Sequence, residues 1–175
     1  VFSARSTQES GRGTLRHDHA LPDLRHFSLR DYGNRVGIYR LFKALDRFNI
    51  KPTIAINGSM VERAPYLMDV IRERGDEVMG HGWQMDMLHH GNVERDEESE
   101  WVKRSLDTLR ETFDQPVTGW LSPGRLQSRH TPELLTENGI EYQCDWVNDD
   151  MPYTFATQTK PLTSMPLSNE LDDFF

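Results

Sequence analysis

Chemically active side chains are concentrated in a few short stretches of this chain, and one of them is Gly-His-Gly-Trp at residues 80–83. His81 follows the apolar stretch Glu77-Val78-Met79, which predicts a strand, and the flanking glycines leave space around its ring. An imidazole can transfer a proton or bind a metal ion. We therefore favour a functional role for His81 over a structural one in which the ring bonds to a backbone carbonyl.

The other histidines carry a weaker signal. His89 and His90 follow Met87-Leu88, eight and nine residues after His81, and we expect both on a loop surface. His17-Asp18-His19 has the residue types of a metal site, but it lies in a polar stretch, and zinc requires ligands held on a rigid frame. A solvated loop is the favoured interpretation there.

An arginine and a group of acidic residues offer complementary chemistry further along the chain. Arg125 follows the Pro-Gly turn at residues 123–124, and its guanidinium can either clamp a substrate oxygen or pair with a nearby acid; both interpretations stay open. The segment at residues 145–150 reads Asp-Trp-Val-Asn-Asp-Asp. Because side chains alternate along an extended backbone, at most one of Asp149 and Asp150 points into a site.

Hydrophobic periodicity predicts the elements that must position these residues: four helices that alternate with short apolar strands. Residues 1–34 show no sustained period, and we expect them to be irregular. The predicted helices cover residues 35–48, 65–74, 97–113 and 132–138, and the predicted strands cover residues 52–56, 77–79, 117–121 and 140–144. This alternation favours βα units around a parallel sheet, either open or closed into a barrel.

The carboxyl ends of parallel strands meet at one edge of a sheet, where α/β proteins bind their ligands. We call the residues at or beyond the carboxyl ends of the predicted strands the carboxyl edge: Asn57, Ser59, His81, Trp83, Trp120, Arg125, Asp145, Trp146, Asp149 and Asp150. Arg35, in Gly-Asn-Arg-Val-Gly at residues 33–37, is a further substrate-binding candidate, although a solvated side chain is favoured. Motifs for a serine nucleophile elbow, a phosphate loop or an H-E-x-x-H zinc site do not occur.

Composition restricts the classes of function. The 175 residues fit one domain, and a net charge of -8 without a dense Lys/Arg cluster argues against nucleic acid as a partner. No stretch approaches the roughly 18 apolar residues of a membrane helix, so we expect no membrane partner. Cys144 is the only cysteine, which suits a reducing compartment, and we expect a cytoplasmic protein. The chain begins with Val and stops within an apolar-acidic segment, which predicts a fragment.

Four stretches of the chain resemble the polysaccharide deacetylase superfamily, the NodB-homology fold. They are residues 30–83, which include YGNRVG and GHGW, then GWLSPGR, LLTENGIEYQCDWVNDDMPY and LTSMPLSNELDD. The likeness spans about residues 29–173 and is greatest to the branch of polysaccharide deacetylase-like allantoinases and peptidoglycan deacetylase-like proteins. It implies a distorted (β/α) barrel, with a partial domain of this type over residues 35–175 that is incomplete at both ends.

The resemblance also implies a chemistry. Members of the family hydrolyse carbon–nitrogen bonds other than peptide bonds, either N-acetyl groups on amino sugars or amide bonds of small ureides and imides. Metal-dependent members bind a divalent ion, often zinc, through a first-strand Asp and two histidines spaced H-x-x-x-H. His81 matches the first histidine, but Met85 stands at the second position, and a thioether is a poor ligand for such an ion. The acidic first-strand motif and the late Leu-x-His motif have no match here.

Two versions of the site follow from the resemblance. With a divalent metal such as zinc, His81 is a ligand and the ion activates water. Without one, His81, Asp149 or Glu170 acts as the base, and Arg125 stabilises the developing negative charge. Met85 favours the second version. The predicted substrate contacts come from Trp83, Trp120, Asp145, Trp146 and Arg35, and the resemblance also points to Asp173.

The leading hypothesis is a hydrolase of linear or cyclic amides on a small nitrogenous substrate. The alternative is a carbohydrate or peptidoglycan N-deacetylase, and a second alternative is a non-catalytic binding domain of the same fold. The expected partner is therefore a small molecule or a carbohydrate, and the sequence leaves a homo-oligomer open.

Overall fold

The computed structural model describes residues 24–168 and 170 of a chain that forms two compact units, Val1–Lys51 and Pro52–Phe175. In the first unit, helix α1 (Leu24–Tyr32) continues through a π-helical turn (Gly33–Gly37) into helix α2 (Ile38–Arg47). Phe42 is buried on α2. The helix predicted from residue 35 to residue 48 therefore exists, but it is preceded by further helical structure.

Helix α1 corrects the prediction that residues 1–34 are irregular, as far as residues 24–34 are concerned. Its large apolar side chains, Leu24, Phe27, Leu29 and Tyr32, are all exposed, so no apolar stripe marks the helix in the sequence. Leucine and arginine are nevertheless good helix formers, and local backbone bonding satisfies this segment. Residues 1–23, which include His17-Asp18-His19, lie outside the described residues.

The second unit is built on a six-stranded sheet in the order β1-β2-β3-β4-β6-β5. Four strands and β6 run parallel, and β5 pairs antiparallel with β6. The strands are β1 (Thr53–Ile56), β2 (Glu77–Gly80), β3 (Gly119–Trp120), β4 (Tyr142–Gln143), β5 (Tyr153–Phe155) and β6 (Leu162–Ser164). Each parallel strand is added beside the previous one, which is the winding of a (β/α) barrel. The predicted fold class is confirmed, and the sheet is open within the described residues.

Helices of this unit follow the predicted pattern closely. They are α3 (Met60–Arg63), α4 (Pro65–Arg74), α5 (Arg95–Phe113) and α6 (Thr131–Glu137), with a short 3-10 turn at Pro123–Arg125. Helix α4 has proline at its start and ends at Gly75, whose φ of 64° is the left-handed conformation of a helix terminus. Strands β5 and β6 were not predicted, because three residues are too few to show a period.

Helix α5 supplies the apolar face that supports the sheet. Val102, Leu106 and Leu109 are fully inaccessible and Phe113 is nearly so, as the helical spacing predicts. Helix α5 contacts β2, α4 and α6, so this face fixes the position of the strand that carries His81. Each such side chain contributes about 1.5–3 kcal/mol by burial. In the described part of the chain, every helix is too short or too polar to span a bilayer.

Candidate active site

His81 stands at the carboxyl end of β2, and three contacts place it there. Its backbone N–H donates to the carbonyl of Ile56 at 3.0 Å, and the side-chain amide of Asn57 donates to the His81 carbonyl. One residue earlier, a Cβ on Gly80 would lie 2.6 Å from the ring of Trp120, so glycine lets strands β2 and β3 approach closely. The ends of β1, β2 and β3 therefore hold the imidazole in a defined position.

A hydrogen bond to the backbone determines which nitrogen of the His81 ring carries the proton. Nδ1 lies 2.5 Å from the carbonyl oxygen of Leu121, which can only accept, so Nδ1 carries the proton in the neutral ring. Nε2 then holds the lone pair, and no described residue bonds to it. Burial lowers the pKa of His81, although the Leu121 bond and the charge of Asp145 oppose this. The half-buried ring is thus a neutral proton acceptor at pH 7.

This carbonyl bond is the one that a purely structural histidine would make. It leaves the second nitrogen of His81 available, which a ring satisfied on both sides would not have. The same bond that fixes the ring therefore prepares it for proton transfer.

Asp145 is buried behind the site, with 5% of its surface exposed. One carboxylate oxygen accepts from the Ser122 N–H at 2.6 Å, and the other accepts from the Ser122 hydroxyl at 2.8 Å and from the side-chain amide of Gln127. Burial raises the pKa of Asp145, and these hydrogen bonds oppose the rise. Both oxygens accept hydrogen bonds within the protein, so Asp145 anchors the turn that follows β3, and its contact with a substrate stays a prediction.

That turn carries Arg125. Gly124 and Arg125 both have positive φ, 63° and 56°, and a non-glycine residue in this conformation is strained. The Arg125 N–H donates to the Ser122 carbonyl at 2.8 Å, and one guanidinium nitrogen lies 3.4 Å from the Leu167 carbonyl beyond β6. Burial raises the pKa of Cys144 to about 11, and the positive charge of Arg125 opposes this rise. The guanidinium thus lies at the carboxyl edge, between the ends of β4 and β6.

Two of the predicted substrate-binding tryptophans belong to the core instead. Trp120 is fully buried, and its Nε1–H donates to the Ser122 hydroxyl at 2.9 Å. Trp83 is 6% exposed, and the guanidinium of Arg104 covers its ring at 3.7 Å from the centroid. Trp83 follows β2 and Trp120 is the last residue of β3, but the neighbouring helix and turn cover both rings. They support the site and present no face to a substrate.

Trp146 differs from the other two because its ring is only half-buried. The ring centroids of Trp146 and Phe155 are 4.7 Å apart, and those of Tyr153 and Phe155 are 6.3 Å apart. Together with Asp145, Val147 and Asn148, it lines an open hollow next to the carboxyl edge. A contact between Trp146 and substrate stays a prediction.

The remaining predicted residues lie on exposed segments. Asp149 accepts a hydrogen bond from the Met151 N–H at 3.1 Å, and the Glu170 N–H donates to the Ser168 hydroxyl at 3.2 Å. Both carboxylates face solvent, and their catalytic roles stay predictions. Arg35 is exposed in the first unit, 3.6 Å from Asp31. Asp173 lies outside the described residues.

His89 is not on the loop surface, which corrects the prediction for it; His90 is exposed as predicted. The His89 ring is fully inaccessible, and its Nδ1 lies 2.9 Å from a carboxylate oxygen of Glu98 on α5. Sequence reasoning missed Glu98 as well, because it reads as one of three acids in the first turn of a helix. The apolar pair Met87-Leu88 was the one local signal that this loop folds inward.

The residues present do not fit the metal centre that the resemblance implies. Met85 is 44% exposed at the position of the second histidine, and the described residues contain no group of three His, Cys, Asp or Glu side chains placed to hold an ion. Asp145, the carboxylate beside His81, is already bonded to Ser122 and Gln127. The described residues therefore offer no set of ligands for a divalent ion.

Known proteins that are similar to this chain in sequence and in structure are polysaccharide deacetylases or their relatives by name. The family model described as polysaccharide deacetylase matches residues 30–143. A peptidoglycan deacetylase from Helicobacter pylori is 26% identical over 126 residues, covering 70% of this chain and 41% of that protein. The structure of a Mycobacterium smegmatis protein assigned as a polysaccharide deacetylase superposes with a TM-score of 0.77 at 32% identity, over 83% of this chain and 50% of that one.

The Puue allantoinase structure is similar to a comparable degree. Its TM-score is 0.74 at 27% identity, over 83% of this chain and 48% of that one. The chain thus spans about half the length of the relatives it matches, or somewhat less. Since the family model covers well over half of the chain, the resemblance seen in the sequence is confirmed: this chain belongs to the polysaccharide deacetylase family.

Proposed function

We propose that this chain carries the active site of a hydrolase that cleaves a carbon–nitrogen bond in a small amide or ureide, with His81 as the general base. One observation carries the proposal. The Leu121 carbonyl fixes the proton of His81 on Nδ1, so that Nε2 presents a lone pair at the carboxyl edge. Since burial lowers the pKa of this ring, it is ready to accept a proton at neutral pH.

Amide hydrolysis needs an activated water, a positive group for the oxyanion and a proton for the leaving nitrogen. In this proposal His81 Nε2 takes a proton from water, which attacks the carbonyl carbon. Arg125 stabilises the negative charge that forms on the carbonyl oxygen. The protonated His81 then returns the proton to the leaving nitrogen as the carbon–nitrogen bond breaks, and the ring is neutral again. Asp149 and Glu170 are the alternative bases, since both are exposed at loops that follow the strands.

A small substrate is favoured by two features of this chain. Met85 replaces a histidine that metal-dependent deacetylation uses, as the resemblance implies, and the base chemistry above requires no such ligand. The likeness to the Puue allantoinase supports the same class of substrate. A small amide also fits a site whose proposed base and cation, His81 and Arg125, follow neighbouring strands.

A carbohydrate or peptidoglycan N-deacetylase is the second candidate. The name of the Helicobacter pylori relative favours it, and so does the row of half-buried rings formed by Trp146, Phe155 and Tyr153. Flat aromatic surfaces stack well against apolar faces of ligands. In this version the acetyl group is cleaved at the same His81 and Arg125, and the aromatic row binds the sugar chain.

The experiment that separates these candidates is a substrate panel with the complete gene product. Ammonia release from linear and cyclic ureides and imides, and acetate release from N-acetylglucosamine oligomers, are measured with and without chelator. We expect chelator-resistant turnover of a ureide or imide, and a loss of about 10²–10⁴-fold in His81→Gln. His90→Gln, an exposed histidine nearby, is the matched control and keeps full activity.

Three outcomes count against the leading proposal. Acetate release alone establishes the deacetylase. Binding of a panel compound without turnover, unchanged in His81→Gln, establishes a non-catalytic binding domain. Chelator-sensitive turnover contradicts the metal-independent role given to His81.

A further inference from the structure

The turn that carries Arg125 is bonded to the end of β4 on both of its sides. Before Arg125, the Ser122 N–H and hydroxyl donate to the Asp145 carboxylate at 2.6 and 2.8 Å. After Arg125, the side-chain amide of Gln127 donates to the side-chain oxygen of Gln143 at 2.6 Å and to the Asp145 oxygen that also accepts from the Ser122 hydroxyl. Gln127 has no role in the chemistry proposed above.

The orientation of the Gln127 amide follows from its two partners. A carboxylate only accepts hydrogen bonds, so the group of Gln127 that faces Asp145 is the nitrogen. Its second hydrogen points to the side-chain oxygen of Gln143, which is fully buried and whose own Nε2 has no partner among the described residues. Gln143 ends β4 and Asp145 lies two residues on, so both side chains lie on one face and a single amide reaches both.

A strained stretch of backbone lies between these two attachments. Gly124 and Arg125 have φ of 63° and 56°, and a residue other than glycine keeps such a conformation only where the surrounding structure enforces it. The Arg125 N–H donates to the Ser122 carbonyl at 2.8 Å, which closes the turn but does not connect it to the sheet. The connection to the sheet comes from the side-chain bonds of Ser122 and Gln127.

The chain turns away from β4 directly after Gln127. The next residue, Ser128, donates through its hydroxyl to Glu98 on α5 at 2.5 Å. Either this bond alone fixes the outgoing chain, or Gln127 is needed to keep the turn against β4. The geometry favours the second explanation, because Gln127 is two residues from Arg125 and bonds to the same carboxylate, Asp145, that holds the other side of the turn.

We propose that Gln127 is a positioning residue for Arg125: its amide, bonded to Asp145 and Gln143, keeps the turn in the strained conformation that places the Arg125 guanidinium at the carboxyl edge. The catalytic meaning of this inference rests on the proposed function, in which Arg125 stabilises the oxyanion. The mechanical coupling between Gln127 and the conformation of Arg125 exists without turnover, and it is measured separately.

The test is a double-mutant cycle on the complete protein, measured by urea unfolding, with Gln127→Met and Arg125→Gly. Methionine has a similar length but no amide donor. With Arg125 present, the loss of the Gln127 bonds lets the turn relax and release its strain, whereas in Arg125→Gly there is no strain to release. We therefore expect Gln127→Met to raise the unfolding equilibrium constant by a factor about two to five times smaller in the Arg125 protein than in the Arg125→Gly protein.

A second measurement and a control make the result specific to the turn. Hydrogen exchange of the Arg125 N–H is expected to accelerate in Gln127→Met by more than that of the buried amides of α5. Gln127→Asn, which shortens the side chain by one methylene, is expected to show the same coupling after a smaller change. Gln115→Met is the matched control, because the Gln115 amide donates to the Asp76 carbonyl at the opposite end of the strands; it must have equal effects in both backgrounds.

The outcomes separate this inference from the proposed function. Equal factors for Gln127→Met in both backgrounds show that Gln127 adds hydrogen bonds without holding Arg125, and they overturn the inference. Exchange of the Arg125 N–H that rises no more than exchange in α5 overturns it as well. Absence of turnover on every substrate removes the proposed function but leaves the unfolding and exchange results to decide the inference.

Where a substrate is turned over, kinetics give a further test. Because Arg125 acts on charge that forms only in the transition state, Gln127→Met is expected to lower kcat about 10- to 100-fold and to change KM less than about twofold. In the Arg125→Gly protein, the same substitution is expected to cause no further loss. A loss of equal size there shows that Gln127 acts through another group and contradicts the inference.

Discussion

Replacing Asp145 tests the central arrangement of the site, because this carboxylate joins the end of β4 to the turn that carries Arg125. In Asp145→Ala, the Ser122 N–H and hydroxyl lose their acceptor inside the protein. A buried donor left without a partner costs about 1–3 kcal/mol, so two donors give a loss of about 2–6 kcal/mol in the free energy of unfolding. In Asp145→Asn one acceptor oxygen remains, and the expected loss falls to about 1–3 kcal/mol.

The assay is urea unfolding at pH 7 monitored by tryptophan fluorescence. Trp120 is a suitable probe because it donates to the same Ser122 hydroxyl. Asp107→Asn is the matched control, because Asp107 pairs with Lys103 on the exposed face of α5, and such pairs contribute less than about 1 kcal/mol. Burial raises the pKa of the folded Asp145 above its unfolded value, so this residue weakens stability as the pH rises from the unfolded pKa through the folded one. That dependence must disappear in Asp145→Asn. Equal, small losses in both Asp145 variants would refute the anchoring role.

Three further predictions concern single residues of the site. Burial lowers the pKa of His81 below its usual 6.5, so kcat/KM is expected to stay high just below pH 6.5 and to fall only when the ring becomes protonated at a lower pH. A pH–rate profile in which kcat/KM already falls above pH 6.5 contradicts this. In Arg125→Gly the positive φ is no longer strained, so the fold is expected to gain up to about 1 kcal/mol in the free energy of unfolding while activity is lost. Thermal unfolding measures the first effect and turnover the second, and a destabilised variant refutes the strain. Burial raises the pKa of Cys144 to about 11, so iodoacetamide should modify it at pH 8 far more slowly than a small free thiol; a similar rate rejects the buried environment.

Much of the fold could be predicted from the sequence, because the signals that define it are local. The apolar spacing of residues 97–113 predicts α5, and proline at residue 65 with glycine at residue 75 bounds α4. Strand β2 and the position of His81 at its end follow from a short apolar stretch and the rule for parallel sheets. Helix α1 and strands β5 and β6 escaped prediction, because none of them shows a clear apolar period.

The site could be predicted only as a set of residues that follow strands. His81 and Arg125 both lie at the carboxyl edge, as expected. Trp120 follows the same rule and yet is covered completely, because the rule gives the end of a strand and not the depth of a side chain below the surface. The burial of His89 against Glu98 depends on how the loop after β2 returns across α5, and periodicity contains no information on that path.

The sequence by itself determined the family of this chain, the alternation of helices and strands, and the residue types at the carboxyl edge. Only the tertiary structure decided which of these side chains accept protons, which hold turns and which are core. The physical reason is that helix and strand patterns arise from contacts a few residues apart, whereas the Leu121 bond to His81 spans 40 residues and the Ser122 bonds to Asp145 span 23. Burial, tautomer and charge at the site all depend on such distant contacts.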